Sequence, residues 1–153
     1  LPIIRNNLRE NMSFPKSSFS RDFCCTMSNG SPARSRHSET INCNENGYYS
    51  IYQSDRYGFN NPDTEWNKKE IQYLLVGDSF THGACVNRPD DIGSVLRTLS
   101  NKSVLNLGYG GNAPLTQYAT LREYLRPNVE NILWLYYPND LEDLIKDNIE
   151  RRI

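Results

Sequence analysis

The pattern of hydrophobic and polar positions differs between the first and the later part of the chain. From Ile71 onward, short apolar runs alternate with segments in which apolar residues recur every three or four positions, whereas residues 1–39 show no sustained period. Short apolar runs are typical of buried strands, and the three-to-four period is typical of helices with one apolar face. The pattern predicts three strand–helix pairs after residue 70 and an irregular, partly disordered arm over residues 1–39.

The predicted strands are Ile71–Val76, Ser103–Leu107 and Asn131–Tyr137. Prolines predict where two of the helices begin, because proline suits a first helical turn: Pro89, followed by Asp90 and Asp91, and Pro114. Each helix is expected to have one apolar face, and that of the second is expected to lie toward the sheet. The faces consist of Ile92, Val95, Leu96 and Leu99; Leu115, Tyr118, Ala119 and Leu125; and Leu141, Leu144, Ile145 and Ile149.

A β-hairpin is predicted just before this region. Thr40–Asn44 and Tyr48–Gln53 flank Asn46-Gly47, and both turn residues accept positive φ. The segment Tyr57–Asp63 then reads as a loop whose aromatic residues either pack on the sheet edge or line a substrate site.

Three βα units predict a parallel sheet with right-handed crossovers. The fold class expected is α/β, a three-layer flavodoxin-like sandwich. Three strands are few for such a sheet, so residues 40–153 are expected to form the N-terminal portion of a domain truncated after its third βα unit. The third strand would then leave an apolar edge, Ile132–Tyr136, open to self-association.

Composition narrows the classes of function. The 153 residues carry a net charge of −1, which gives no reason to expect a nucleic-acid partner, and no apolar run reaches the ~18 residues of a membrane helix. The four cysteines and two histidines match no metal-binding spacing, so neither a metal nor a cofactor is predicted. Free thiols indicate a cytoplasmic protein, whereas a Cys43–Cys85 disulfide indicates a periplasmic or extracellular one.

Small and polar residues end each predicted strand. Gly77-Asp78-Ser79 follows the first, Gly108–Asn112 the second and Pro138-Asn139-Asp140 the third. Parallel strands bring these ends to one edge of the sheet, where ligands bind in α/β proteins. A serine hydroxyl can attack an ester carbonyl, and backbone N–H groups and a side-chain amide nearby can stabilise the oxyanion that forms.

These blocks, in this order, resemble the SGNH (GDSL-type) hydrolase family. The resemblance covers about residues 71–145 and includes Gly77-Asp78-Ser79, the Asn106–Gly111 segment and Asn139-Asp140. It implies that Ser79 is the nucleophile, that Gly111 (or Gly110 in the neighbouring register) is an oxyanion N–H donor, and that Asn139 donates its amide. It implies a serine-dependent ester hydrolase or acyltransferase acting on a small-molecule or glycan ester, for instance a carbohydrate O-acetyl group.

The family's C-terminal Asp-x-x-His block is absent from this sequence. His82 lies three residues after Ser79 on the same local turn, and His37 belongs to the irregular arm, so neither is expected to be the general base. The base is expected beyond Ile153, and the chain alone is expected to have little or no esterase activity, because a serine without a base is a poor nucleophile.

Other interpretations stay open at this point. Ser79–Gly83 also suits a flavodoxin-like module that cradles the phosphate of a flavin or nucleotide, and a non-catalytic SGNH-like domain has the same sequence features. Asp78 and Asn139-Asp140 are also typical helix caps, and the glycine cluster is typical of a tight turn.

Overall fold

The computed structural model describes residues 36–45 and 47–150, with side chains described as far as Ile145. Most of the predicted arm, residues 1–35, lies outside the described residues, as does Asn46 of the predicted turn. The first strand begins at Glu39, one residue before the predicted start of order at Thr40.

The described chain contains five strands, four α-helices and a short 3₁₀ helix over Asp63–Asn67. The strands are β1 (Glu39–Ile41), β2 (Ile51–Gln53), β3 (Ile71–Val76), β4 (Val104–Asn106) and β5 (Val129–Trp134). The helices are α1 (Ser79–His82), α2 (Ile92–Ser100), α3 (Pro114–Tyr124) and α4 (Pro138–Glu150). None of the described helices has the length and apolar character needed to cross a membrane.

The main sheet is parallel, with β3 between β4 and β5. Leu75 lies opposite Asn106 on one side, and Val76 lies opposite Trp134 on the other. The α/β class and the parallel order are therefore confirmed, and the three strands end at the same edge. The prediction for β3 was correct at both ends, whereas β5 begins two residues earlier and ends three residues earlier than predicted.

The hydrophobic core lies against β3 and β4. It consists of Phe59, Trp66, Ile71, Leu74, Val76, Leu105, Leu107 and Leu121. Phe59, from the predicted loop, contacts Tyr124 of α3 edge to face with 5.0 Å between ring centroids. This aromatic residue therefore packs in the core, where burial of one such side chain contributes about 1.5–3 kcal/mol.

The apolar face predicted for α2 is exposed rather than packed on the sheet. Ile92 and Val95 are 40% exposed and Leu99 is 80% exposed. The helix instead approaches β4 through small residues, because a Cβ on Gly93 would lie 3.4 Å from Asn106 Nδ2. This close approach turns the apolar stripe outward.

Two predictions about the helices were wrong. Pro89 lies before α2 rather than in its first turn, and Asp91 is the N-cap, accepting the Ser94 N–H at 3.0 Å. In α3, Tyr118 is 44% exposed, and the buried positions are Pro114, Gln117, Thr120 and Leu121. The buried face of α3 is shifted because the Gln117 amide forms hydrogen bonds inside the domain.

The predicted hairpin is confirmed as an antiparallel pair with Ile41 opposite Ile51. Its strands are shorter than predicted, and Tyr48 and Tyr49 are exposed in the connecting loop rather than in β2. A disulfide between Cys43 and Cys85, with 5.0 Å between Cα atoms, joins this loop to the segment after α1.

Asp55 organises the loop between β2 and the 3₁₀ helix. Its buried carboxylate accepts hydrogen bonds from the Phe59 N–H at 2.9 Å, the Asn61 amide at 2.9 Å and the Trp66 indole at 2.7 Å. Because every one of these donors is itself buried, the carboxylate satisfies groups that would otherwise be costly to desolvate.

Arg56 and Asp63 form an ion pair that closes the same loop. The guanidinium donates to both carboxylate oxygens, at 2.6 and 2.9 Å, and lowers the pKa of Asp63 from 3.8 to about 2. Because the pKa is lower in the folded state, the pair stabilises the fold above about pH 4, and that stabilisation is lost as the pH falls towards 2.

We predict that Asp63→Asn reduces the loss of stability between about pH 4 and pH 2. The difference should be modest because both side chains are 34% exposed and solvent screens the pair. Urea unfolding midpoints across this range measure the effect, with Asp90→Asn, an exposed loop carboxylate, as the control. Parallel pH profiles for wild type and Asp63→Asn would contradict the assignment.

Candidate functional site

Three segments meet at the carboxyl edge of the sheet. Ser79 is the first residue of α1, directly after β3, whereas Asn139 is in the first turn of α4, after β5. The Gly110-Gly111 turn follows β4, the neighbour of β3 on the other side. The structure therefore brings to one edge the three segments that contain the predicted site residues.

Asp78 determines how α1 begins. Its Oδ1 accepts the Phe80 N–H at 3.0 Å, so the helix-cap interpretation of Asp78 is correct. Gly77 precedes it because a Cβ there would collide with the Thr81 side chain and lie 3.0 Å from the Leu135 carbonyl oxygen. A glycine and a capping aspartate together place Ser79 at the tip of β3.

The loop after β4 is held tightly against α1. A Cβ on Gly108 would lie 2.6 Å from the carbonyl carbon of Thr81, so only glycine fits. Asn106 adds two buried hydrogen bonds: its Oδ1 accepts the Gly108 N–H at 2.8 Å, and its Nδ2 donates to the Thr81 carbonyl. The glycine loop therefore has a set position relative to Ser79.

Of the two glycines in this loop, Gly110 is the one that lies next to Ser79. The Cβ position of Gly110 is 3.9 Å from Ser79 Cβ, whereas nothing lies within 4 Å of the Gly111 Cβ position. Gly111 is exposed and has φ of +80°, a conformation that favours glycine. The two glycines thus have different surroundings: one is next to the serine and the other opens to solvent.

The Asn139 side chain links the third segment to the first. Its Nδ2 donates to Asp78 Oδ2 at 3.3 Å and to Asp143 Oδ2 at 3.4 Å, both long for hydrogen bonds. Its buried Oδ1 has no hydrogen-bond partner within the described part of the chain. The Asn139 amide therefore connects the start of α4 to Asp78 through long hydrogen bonds only.

Gln117 is a residue of the site region that sequence reasoning missed. Its buried Nε2 donates to the Asn112 carbonyl at 2.9 Å and to Asp140 Oδ1 at 2.6 Å, while its Oε1 accepts the Trp134 indole N–H at 2.7 Å. Asp140 Oδ2 in turn accepts the Tyr137 N–H at 2.7 Å. One amide therefore ties the end of the glycine loop to the start of α4.

The two histidines lie in different surroundings. His82 is 3% exposed, its Nε2 is 3.1 Å from the Tyr52 hydroxyl, and its ring stacks on Tyr109 at 5.2 Å. Its Nδ1 is 4.0 Å from the Gly110 Cβ position, so the ring lies beneath the glycine loop. His37 is exposed in the turn before β1.

Carboxylates dominate the charged groups at this edge. Asp78 and Asp140 are buried, and both accept hydrogen bonds from backbone N–H groups. No cluster of three or more His, Cys, Asp or Glu side chains able to hold a metal ion occurs among residues 36–45 and 47–145. Besides these carboxylates, the segments at this edge contain the Ser79 hydroxyl and the Asn139 amide.

Comparison of the chain with models of known protein families, with characterised proteins and with solved structures found no match.

We predict that Gln117→Met destabilises the fold by about 3 kcal/mol. The substitution keeps the side-chain length but removes the partner of the partly buried Trp134 indole N–H and of the buried Asp140 Oδ1, and a buried carboxylate oxygen without a partner is costly. Urea unfolding measures the change. Gln53→Met, on the exposed surface of β2, is the control and should change stability by less than about 0.5 kcal/mol. Equal effects of the two substitutions would show that the Gln117 hydrogen bonds do not matter.

Proposed function

We propose that this chain belongs to a serine-dependent acyl-ester hydrolase or acyltransferase of the SGNH type, with Ser79 as nucleophile. The observation that carries the proposal is the meeting of Ser79, Gly110 and Asn139: the serine Cβ is 3.9 Å from the Gly110 Cβ position, and the Asn139 amide reaches Asp78, the residue before the serine, at 3.3 Å. Nucleophile and oxyanion donors must be this close to act on one carbonyl.

In the proposed reaction, Ser79 Oγ attacks the ester carbonyl while its proton passes to a base. The negative charge on the carbonyl oxygen is stabilised by the N–H of Gly110 or Gly111 and by Asn139 Nδ2. Collapse of the tetrahedral intermediate breaks the ester bond, releases the alcohol with a proton from the base, and leaves an acyl-enzyme. Water or a sugar hydroxyl then takes the acyl group and restores the Ser79 hydroxyl.

The base in this proposal comes from outside the described residues. His82 is buried with its Nε2 at the Tyr52 hydroxyl, and His37 is exposed beside the hairpin. A histidine from an Asp-x-x-His block, as in the family that the sequence resembles, would take the proton. The chain by itself is accordingly expected to react slowly.

The proposal extends to the fold and the substrate. In the sheet β5 is an edge strand. We propose that the sheet is part of a three-layer flavodoxin-like sandwich and that the chain self-associates through this edge. The substrate is a small-molecule or glycan ester, for which a carbohydrate O-acetyl group is the candidate. The Asp78 carboxylate at the start of α1 disfavours the alternative, a flavin or nucleotide module, because it already occupies the Phe80 N–H and would repel a phosphate.

We predict that a fluorophosphonate probe labels Ser79 and that added imidazole accelerates the labelling. Attack by Ser79 Oγ forms a phosphorus–oxygen bond and expels fluoride, and imidazole takes the proton in place of the missing base. Mass spectrometry of the digested protein identifies the labelled serine. Ser79→Ala should remove the label, and Ser100→Ala, on α2, should not.

Asn139→Ala should slow the same labelling by about 100-fold, the usual effect of removing one oxyanion donor. Asn67→Ala, an exposed residue of the 3₁₀ helix, is the matched control. A folded protein that remains unlabelled with imidazole present would overturn the proposed function.

The Cys43–Cys85 disulfide supports a periplasmic or extracellular location. Thiol titration of the denatured, unreduced protein should then find at most two of the four cysteines free. Four free thiols in protein prepared from its native compartment would contradict this location.

A further inference from the structure

Two exposed aromatic rings stack on each other beside Ser79. The rings of Phe80 and Tyr137 have centroids 3.9 Å apart and are inclined by 24°. Phe80 is 52% exposed and Tyr137 is 44% exposed, so the pair presents apolar surface to solvent in spite of the stacking. Neither ring belongs to the core cluster, and neither has a part in the proposed acyl transfer.

The backbone of each ring residue is fixed by the carboxylates that organise the site. Phe80 directly follows Ser79, and its N–H is bound by Asp78 at 3.0 Å. Tyr137 precedes Asn139 by two residues, and its N–H is bound by Asp140 at 2.7 Å. The stack, which we call the aromatic platform, is therefore placed beside the nucleophile with little freedom to move away.

We propose that the aromatic platform of Phe80 and Tyr137 binds a neutral sugar ring of the ester substrate. This inference rests on the proposed function, because it assigns the alcohol portion of the ester that Ser79 would cleave. It goes beyond that function by naming the residues that recognise the sugar.

The chemistry of the surroundings favours a sugar over other ester alcohols or acyl groups. A pyranose ring has an apolar C–H face that suits an aromatic surface and a rim of hydroxyls that need hydrogen-bond partners. Asp143, in the second turn of α4, and the Tyr137 hydroxyl supply such partners. A fatty acyl chain instead calls for an enclosed apolar cavity, and an anionic ester would be repelled by the carboxylates.

The test is binding, measured by isothermal titration on the full chain carrying Ser79→Ala so that no substrate is consumed. The probes are an O-acetylated xylotetraose, methyl hexanoate and methyl benzoate. We expect the saccharide to bind and Phe80→Ala or Tyr137→Ala to weaken its binding about five- to tenfold, as expected for the loss of one aromatic contact.

Tyr49→Ala, which removes a ring of similar exposure on the hairpin loop, should leave the affinity unchanged. Tyr137→Leu keeps an apolar side chain but has no ring, and it should weaken saccharide binding as much as Tyr137→Ala does. Equal weakening would show that the loss of the ring, rather than a folding defect, is the cause. Thermal unfolding of every variant accompanies the titrations.

The proposal is overturned if the saccharide does not bind, if the platform variants bind it as wild type does, or if the platform variants selectively lose methyl hexanoate or methyl benzoate. These results are independent of fluorophosphonate labelling. If the saccharide binds and binding depends on the aromatic platform, but fluorophosphonate does not label Ser79, the sugar site is supported and the proposed reaction is overturned. Ser79 labelling without saccharide binding would do the reverse.

Discussion

The contact between the loop after β4 and the backbone of α1 is the constraint on which the candidate site depends. A Cβ on Gly108 would lie 2.6 Å from the Thr81 carbonyl carbon, and Asn106 hydrogen-bonds both segments at once. No side chain can enter this contact, so any residue other than glycine must push α1 away from the sheet. Because Ser79 begins α1, its position follows from this backbone contact.

Buried polar side chains extend the constraint in two directions. Asn60 donates to the His82 carbonyl at 3.0 Å, and Asn61 donates to the Asn106 carbonyl at 2.9 Å, so the loop that Asp55 organises braces both α1 and β4. On the other side, Gln117 joins the end of the glycine loop to Asp140. Because buried polar groups are costly to leave without partners, these hydrogen bonds restrict the arrangements that the three segments can adopt.

The strands and their shared edge could be predicted because a buried parallel strand is apolar on both faces and stands out as a continuous run. β3 is the clearest case. The outward apolar stripe of α2 could not be predicted, because it results from the fit of Gly93 against Asn106, a contact between residues far apart in sequence. The spacing of apolar residues indicates that a helix has an apolar and a polar face, but tertiary contacts determine which face is buried.

The parts of the site differ in the same way. The meeting of the Ser79 and Asn139 segments could be predicted from sequence because both follow strands that end at one edge. Gln117 was missed because a buried glutamine and an exposed one look alike in a sequence, and only its three partners distinguish them. The one signal available was helical spacing: Gln117 is three residues after Pro114 and four before Leu121, and all three residues lie on the buried face of α3.

The central claim is that Ser79 attacks a carbonyl carbon whose oxygen is bound by donors from the other two segments. A crystal structure of the fluorophosphonate adduct tests it most directly, because the phosphonyl oxygen mimics the oxyanion. The account predicts that this oxygen lies about 2.7–3.1 Å from Asn139 Nδ2 and from the backbone nitrogen of Gly110 or Gly111. An adduct on Ser79 whose oxygen points to solvent, away from both donors, would contradict the account.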